Sequence, residues 1–156
     1  MSEAKPSPLA KMYFAWGQSC TYWANKTVSK QLYRWAVSSY TRAAAEAPHW
    51  PPPVLRRAVV RGRELDDYAG AISDLTDLIT ADPKNTEAYL QRGILHSFHG
   101  LHAAARAVAD FERFLELAPL DHSWRPDAQN LTDRLRGELV ERGWTSDGEA
   151  TTQDDL

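Results

Sequence analysis

The stretch Tyr89–Pro119, YLQRGILHSFHGLHAAARAVADFERFLELAP, decides the fold, because it holds two helical patterns in succession and ends at a proline. In its second half Ala107, Phe111 and Phe114 follow one another by four and three residues, which is the spacing along one side of an α-helix. Proline disfavours the α conformation of the residue before it, so this second helix is predicted to end just before the proline. The stretch therefore predicts a hairpin of two helices.

The same pattern occurs three times along the chain. Three columns repeat with spacings of 35 and then 36 residues: Ala36, Ala71, Ala107; Tyr40, Leu75, Phe111; and Pro48, Pro83, Pro119. A column further upstream in each unit, Ala24, Val59 and Gly93, repeats with spacings of 35 and 34. A fixed period of this length is typical of repeat proteins, and no alternating β-branched run is present. The fold class is predicted to be all-α, an α-solenoid of three helical hairpins plus a C-terminal capping helix.

The repeat resembles the tetratricopeptide repeat family, in which two helices carry small and bulky residues at set positions and end at a proline. The best match has five of these residues in place: Tyr89, Gly93, Ala107, Phe111 and Pro119. The resemblance implies that small residues let the helices of a hairpin approach closely, and that about three hairpins are needed for a stable core. Arg92 stands where the family buries a leucine, so it is expected to meet a carboxylate or to reach solvent.

The predicted boundaries are an N-terminal tail at 1–7, the solenoid at 8–143 with its capping helix at about 126–142, and a disordered acidic tail at 144–156. Ser7 and Pro8 have the pattern of an N-cap and first helical turn, so the first helix is predicted to begin at Pro8. Its inward stripe is predicted to be Leu9, Met12, Trp16, Cys20, Trp23 and Thr27.

Composition excludes several classes of protein. Eighteen basic against 21 acidic residues give a net charge of -3, which argues against a dedicated nucleic-acid-binding protein. A single cysteine excludes an internal disulfide and a multi-cysteine zinc site. No apolar run is long enough for membrane insertion and no secretory signal is visible, so a cytoplasmic location is predicted.

Two groups of residues could carry chemistry. Cys20 could act as a nucleophile, but the helical pattern places it on an apolar side of the first helix. His96, His99 and His102 have the spacing of a metal-ligand pair on a helix plus a loop residue, but no acidic residue or cysteine neighbours them in sequence. We therefore predict no catalytic residue, no metal ligand and no cofactor. A metal- or thiol-dependent enzyme, or an accessory subunit of one, is the alternative.

The predicted function is a non-catalytic protein–protein interaction module, such as an adaptor, scaffold or assembly factor. By the resemblance, the first helix of each hairpin lines a concave groove, whose predicted ligand residues are Asn25, Arg56, Val60, Arg63, Leu90, Ile94 and Phe98. Basic and apolar residues together fit an acidic-hydrophobic peptide or helix of another protein. The family's clamp for a chaperone's C-terminal carboxylate is disfavoured, because Thr21 stands where that clamp has a lysine.

Two alternatives concern the same basic residues. Arg56 and Arg63 could merely solvate their helix and pair with Glu64 or Asp66. The cluster Arg56, Arg57, Arg61 and Arg63 could also contact nucleic acid, although no nucleic-acid partner is predicted.

Aromatic residues are concentrated at the start of the chain, where the first 50 residues hold nine of the 16. Tyr13, Phe14, Tyr22 and Tyr33 fall outside the predicted inward stripe and are expected to be partly exposed. Tyr13, Phe14 and Tyr22 form a possible aromatic interface, and a homodimer through the first helix is one interpretation. Packing of these rings within the core is the alternative.

Overall fold

A computed structural model describes residues 5–143, and this part of the chain is all-α, as predicted. Seven helices follow one another there, and no strand lies between them. Their bounds are α1 Pro8–Thr27, α2 Lys30–Glu46, α3 Pro51–Glu64, α4 Tyr68–Ala81, α5 Thr86–Ser97, α6 Leu101–Leu117 and α7 Arg125–Glu141. None of these helices is both long enough and apolar enough to cross a bilayer. The predicted acidic tail at 144–156 lies outside the described residues.

Helix ends follow from local sequence. The hydroxyl of Ser7 accepts a hydrogen bond from the Ala10 N–H at 3.0 Å, which satisfies one of the free donors of the first turn of α1. Asn85 caps α5 in the same way, since its Oδ1 accepts from the Ala88 N–H at 3.0 Å. Helices α2, α4 and α6 each end two residues before a proline of the repeat.

The helices form two compact units. The first unit contains α1–α4, and the buried sides of α1 and α2 meet α3 in a core of Cys20, Ala24, Tyr33, Ala36, Tyr40 and Val60. Close approach of α1 to α2 depends on Gly17, because a Cβ there would lie 2.6 Å from the Tyr40 ring.

The second unit contains α5–α7, with the α5–α6 hairpin packed against α7. Its core includes Leu90, Ala107, Phe111, Phe114, Ala128, Leu135 and Leu139. The last three belong to α7, so the apolar stripe of α7 packs against α6. A helix therefore closes this end of the repeat core.

The predicted inward stripe of α1 is right at Cys20, which is buried, and wrong at its large side chains. Trp16 and Trp23 are 62% and 59% exposed, and Met12 is exposed beside them. The side of α1 that packs on α2 instead carries the small residues Ala10, Gly17 and Ala24, which follow at intervals of seven. Only small side chains fit where two helices approach this closely, so the large rings lie on the neighbouring side of the helix.

Candidate partner-binding surfaces

Two of the four clustered arginines, Arg57 and Arg61, form ion pairs within the first unit. Arg57 donates from Nε and Nη2 to the two carboxylate oxygens of Asp74, at 2.9 and 2.7 Å, and Arg61 donates from Nη1 to Oδ2 at 3.0 Å. The Asp74 carboxylate is buried, and both guanidinium groups are largely shielded from water. These contacts hold α3 against α4, so Arg57 and Arg61 serve the fold.

The other two arginines of the cluster face solvent. Arg56 and Arg63 lie seven residues apart and so share one side of α3, and both are exposed. Within the described residues no carboxylate comes within 4.0 Å of either one. The alternative pairings with Glu64 and Asp66 are therefore not formed, and Asp66 instead lies 3.5 Å from Lys30.

Two further predicted groove residues of the first unit differ in their accessibility. Asn25 is exposed on α1, and its Oδ1 accepts a hydrogen bond from the Tyr33 hydroxyl at 2.7 Å. Tyr33 itself is buried, contrary to the expectation that it is partly exposed. Val60 lies in the core of the unit and offers no accessible surface, so its assignment to the groove is wrong.

The three apolar residues predicted to line the groove on α5 also differ in their accessibility to solvent. Leu90 is buried in the core of the second unit and cannot contact a partner, which corrects the prediction for this residue. Ile94 is half-buried against the same core. Phe98, at the C-cap of α5, is 78% exposed and is the one member of the triad whose ring is open to solvent.

The expected partner of Arg92 is Asp110 on α6. Arg92 donates from Nε and Nη2 to the two oxygens of Asp110, at 2.9 and 2.7 Å. The same carboxylate lies 4.0 Å from Nε2 of His96, which is buried. An acidic residue therefore does face His96, which the sequence did not indicate, because Asp110 comes from the next helix.

The candidate nucleophile Cys20 and the candidate metal ligand His96 are buried, whereas His99 and His102 are exposed. Burial raises the pKa of the Cys20 thiol, so the thiolate is disfavoured. Burial also lowers the pKa of His96 to about 4, with help from the cations Arg92 and Arg106. Over residues 5–143, no three side chains of the metal-ligating types come close enough to hold one ion.

Known structures share this fold. No family model and no curated protein matches the chain. Among solved structures, the first TPR of Spaghetti (RPAP3), bound to the HSP90 peptide SRMEEVD, superposes with a TM-score of 0.62 and 26% sequence identity, over 81% of this chain and 98% of that one. The Sgt2 TPR domain from Aspergillus fumigatus superposes with a TM-score of 0.71 and 20% identity, over 97% of this chain and 92% of that one. The chain has the tetratricopeptide-repeat fold.

The possible aromatic interface on the first helix needs a correction. Phe14 is half-buried, with its ring centroid 5.7 Å from that of Tyr40 and 4.9 Å from that of Trp50. It therefore belongs to the packing of the first unit. Tyr22 is exposed beside Trp23, and Tyr13 is half-buried under the guanidinium of Arg42.

A different aromatic surface is open on the first hairpin. Its members, which we call the tryptophan face, are Met12, Trp16, Trp23 and Trp35. The apolar spacing of α1 does not predict this surface, because it assigns Met12, Trp16 and Trp23 to the core. The recurrence of Ala10, Gly17 and Ala24 at intervals of seven was the signal that a different side is buried.

Proposed function

We propose that this chain is a non-catalytic protein–protein interaction module that binds an acidic peptide or helix of a partner protein in the concave groove of its repeats. An adaptor, scaffold or assembly factor would work in this way. Two facts support the proposal: the tetratricopeptide-repeat fold, and the acidic peptide bound to the RPAP3 domain.

The observation that carries the proposal is the exposed pair Arg56 and Arg63 on α3. Their neighbours Arg57 and Arg61 are already bonded to Asp74, so the cluster is divided into a structural pair and an available pair. Guanidinium groups bind carboxylates by charge-assisted, often bidentate hydrogen bonds. A partner segment with two acidic side chains spaced along it would match the available pair.

The enzyme alternative has less support. A nucleophilic cysteine needs an accessible thiolate and a positioned base, whereas Cys20 is buried and its pKa is raised. A nucleic-acid role is weakened as well, because only two of the four clustered arginines are available to phosphates.

A peptide selection on the full chain tests the proposal. A displayed library of random peptides is selected on the wild-type protein, and the enriched peptides are measured by fluorescence anisotropy. We expect the enriched peptides to be rich in Asp and Glu. The double variant Arg56→Glu, Arg63→Glu should slow their association and abolish most of their binding at low salt, since steering by charge acts mainly on the association rate.

The matched control is the double variant Lys84→Glu, Arg142→Glu, which makes the same change in net charge at two exposed positions of the second unit. It should bind the peptides as the wild type does. Enriched peptides without acidic residues, or equal loss of binding in both double variants, would contradict the proposal.

A further inference from the structure

We propose that the tryptophan face is a second docking site, separate from the concave groove, and that it binds an amphipathic helix of a partner protein with an apolar ridge and acidic flanks. The occupied site would lie along the seam between α1 and α2, entirely within the first unit.

The tryptophan face is large and open. Trp16, Trp23 and Trp35 are 62%, 59% and 52% exposed, and Met12 is exposed to a similar degree. Monomeric proteins seldom leave contiguous apolar surface of this kind uncovered, and such patches mark interaction sites. Tryptophan is also the residue type most enriched among the side chains that dominate binding energy.

The face has the shape of a groove. One concavity of about 400 Å³ is lined by Met12, Trp16, Trp35 and Arg42 among others, and a second of about 340 Å³ by Trp16, Trp23, Leu32 and Trp35 among others. The two concavities share Trp16 and Trp35 and so continue one another along the seam. From Met12 to Trp23 the groove extends about 16 Å, at about 1.5 Å per helical residue, which is about three turns of a partner helix.

The packing of the first unit explains why this face is uncovered. The core between α1, α2 and α3 uses the small-residue side of α1 together with Tyr40 and Val60. None of the three exposed tryptophans is a member of that core. In the second unit, by contrast, α7 covers the α5–α6 hairpin with Ala128, Leu135 and Leu139. Repeat hairpins need a capping element with a polar outer side, and no described helix supplies one at the tryptophan face.

Charge indicates the chemistry of the occupant. Helices α1 and α2 carry five basic residues and one acidic residue, Glu46; the basic residues are Lys11, Lys26, Lys30, Arg34 and Arg42. Arg42 lines the first concavity, and Lys26 follows Trp23 by three residues on the same side of α1. Two copies of this hairpin would bring like charges together, which costs binding energy. A partner helix with acidic flanks would instead be complementary, and amphipathic helices commonly bind in apolar grooves.

The test uses the full chain and a displayed library built on a helical scaffold, with the outward positions of the scaffold randomised. The selected helices should carry an apolar ridge flanked by Asp and Glu. The double variant Trp16→Ala, Trp35→Ala should weaken their binding by at least about tenfold, as expected for loss of buried tryptophan anchors. It should keep the wild-type circular dichroism spectrum and unfolding midpoint, because both rings are more than half exposed.

Two controls separate this site from others. Trp124→Ala removes a tryptophan that is 44% exposed in the second unit and should leave the affinity unchanged. Arg56→Glu with Arg63→Glu should also leave it unchanged, so failure of the proposed groove and failure of this site give different results.

Several results would overturn the inference. One is selected helices with neutral or basic flanks, and another is binding that survives loss of Trp16 and Trp35. A dimer in light scattering that the double tryptophan variant dissociates would assign the face to a second copy of the chain. Binding to phosphatidylserine vesicles without any helix binding would assign it to a lipid surface.

Discussion

Gly93 and Gly137 lie inside helices of the same unit, yet only Gly93 faces other side chains. A Cβ at Gly93 would lie 2.9 Å from two ring atoms of Phe111, whereas a Cβ at Gly137 would meet nothing within 4 Å. Phe111 is completely buried, so its ring has little room to move away. The two glycines therefore form a matched pair for testing the close approach of α5 to α6.

We expect Gly93→Ala to lower the free energy of unfolding by about 1–3 kcal/mol, because the added methyl group overpacks the core. Gly137→Ala should raise it by about 0.5–1 kcal/mol, since alanine restricts the unfolded chain and favours the helix. Urea denaturation of both variants measures the two changes. A Gly93→Ala variant as stable as the wild type would show that the helices can separate without cost.

His96 is a second single residue with a measurable consequence. In the folded protein its pKa is lowered from 6.5 to about 4, so between these pH values the unfolded chain binds a proton there and the folded protein does not. The free energy of unfolding should therefore fall as the pH drops from 6.5 towards 4. The full effect is about 3 kcal/mol, at about 1.4 kcal/mol for each pKa unit.

Other charged groups around His96 also respond to pH or set its environment. Arg92 and Arg106 stay charged, and His99 lies close enough to lower the pKa of His96 further. Burial raises the pKa of Asp110 more than Arg92 lowers it, so Asp110 contributes to the pH dependence with the opposite sign.

A variant without His96 separates the contribution of this residue to the pH dependence of stability from that of the other groups. We expect His96→Gln to lose less stability than the wild type between pH 7 and pH 4.5 in urea denaturation. His102→Gln, which changes an exposed histidine, should keep the wild-type dependence. Equal pH dependence in the wild type and His96→Gln would mean that the folded protein binds the proton as readily as the unfolded chain does.

At the scale of helices, buried carboxylates join neighbouring elements. Asp74 on α4 is bonded to Arg57 and Arg61 on α3, as Asp110 on α6 is bonded to Arg92 on α5. Each pair lies between the two helices of one hairpin. Removing one partner of such a pair costs more than the pair contributes, because the remaining charge is left shielded from water without a counter-ion.

We expect Asp74→Ala to lower the free energy of unfolding by about 3 kcal/mol, since it leaves Arg57 without its carboxylate and Arg61 with only the longer contact to Asp67, at 3.5 Å. Asp77→Ala, at an exposed position on the same helix, should change it by less than about 0.5 kcal/mol. Urea denaturation measures both. If the two variants were equally stable, Arg57 and Arg61 would have reached solvent, and the bonds would not hold α3 to α4.

The packing of α1 on α2 explains why the large side chains of the predicted stripe of α1 are exposed. Both candidate stripes of α1 have helical spacing: Met12, Trp16 and Trp23 on one side, and Ala10, Gly17 and Ala24 on another. Hydrophobicity alone favours the first. The second is buried because the distance to α2, set by Tyr40 against Gly17, admits only small side chains.

At the scale of the whole molecule, charge is unevenly distributed. The net charge of -3 combines a strongly basic first hairpin with an acidic remainder, since residues 47–156 carry 12 basic and 19 acidic residues. Total charge therefore hides two local basic surfaces. Those surfaces are Arg56 with Arg63, and the surroundings of the tryptophan face.

The repeat, the all-α class and the places where helices stop could all be predicted from the sequence. These features depend on spacing along the chain and on local effects such as the proline that follows each second helix, so no knowledge of distant contacts is needed. The partner of Arg92 could be predicted by type, a carboxylate, but not by position.

The buried side of each helix and the available charges, by contrast, depend on how the helices pack. Leu90 and Val60 became core residues, Trp16 and Trp35 became surface, and Asp74 took two of the four clustered arginines. The physical reason is common to all of these cases. Whether a helical side chain is buried depends on how closely the neighbouring helix approaches and on which residue of that helix it meets. Neither follows from the spacing of residues along one helix.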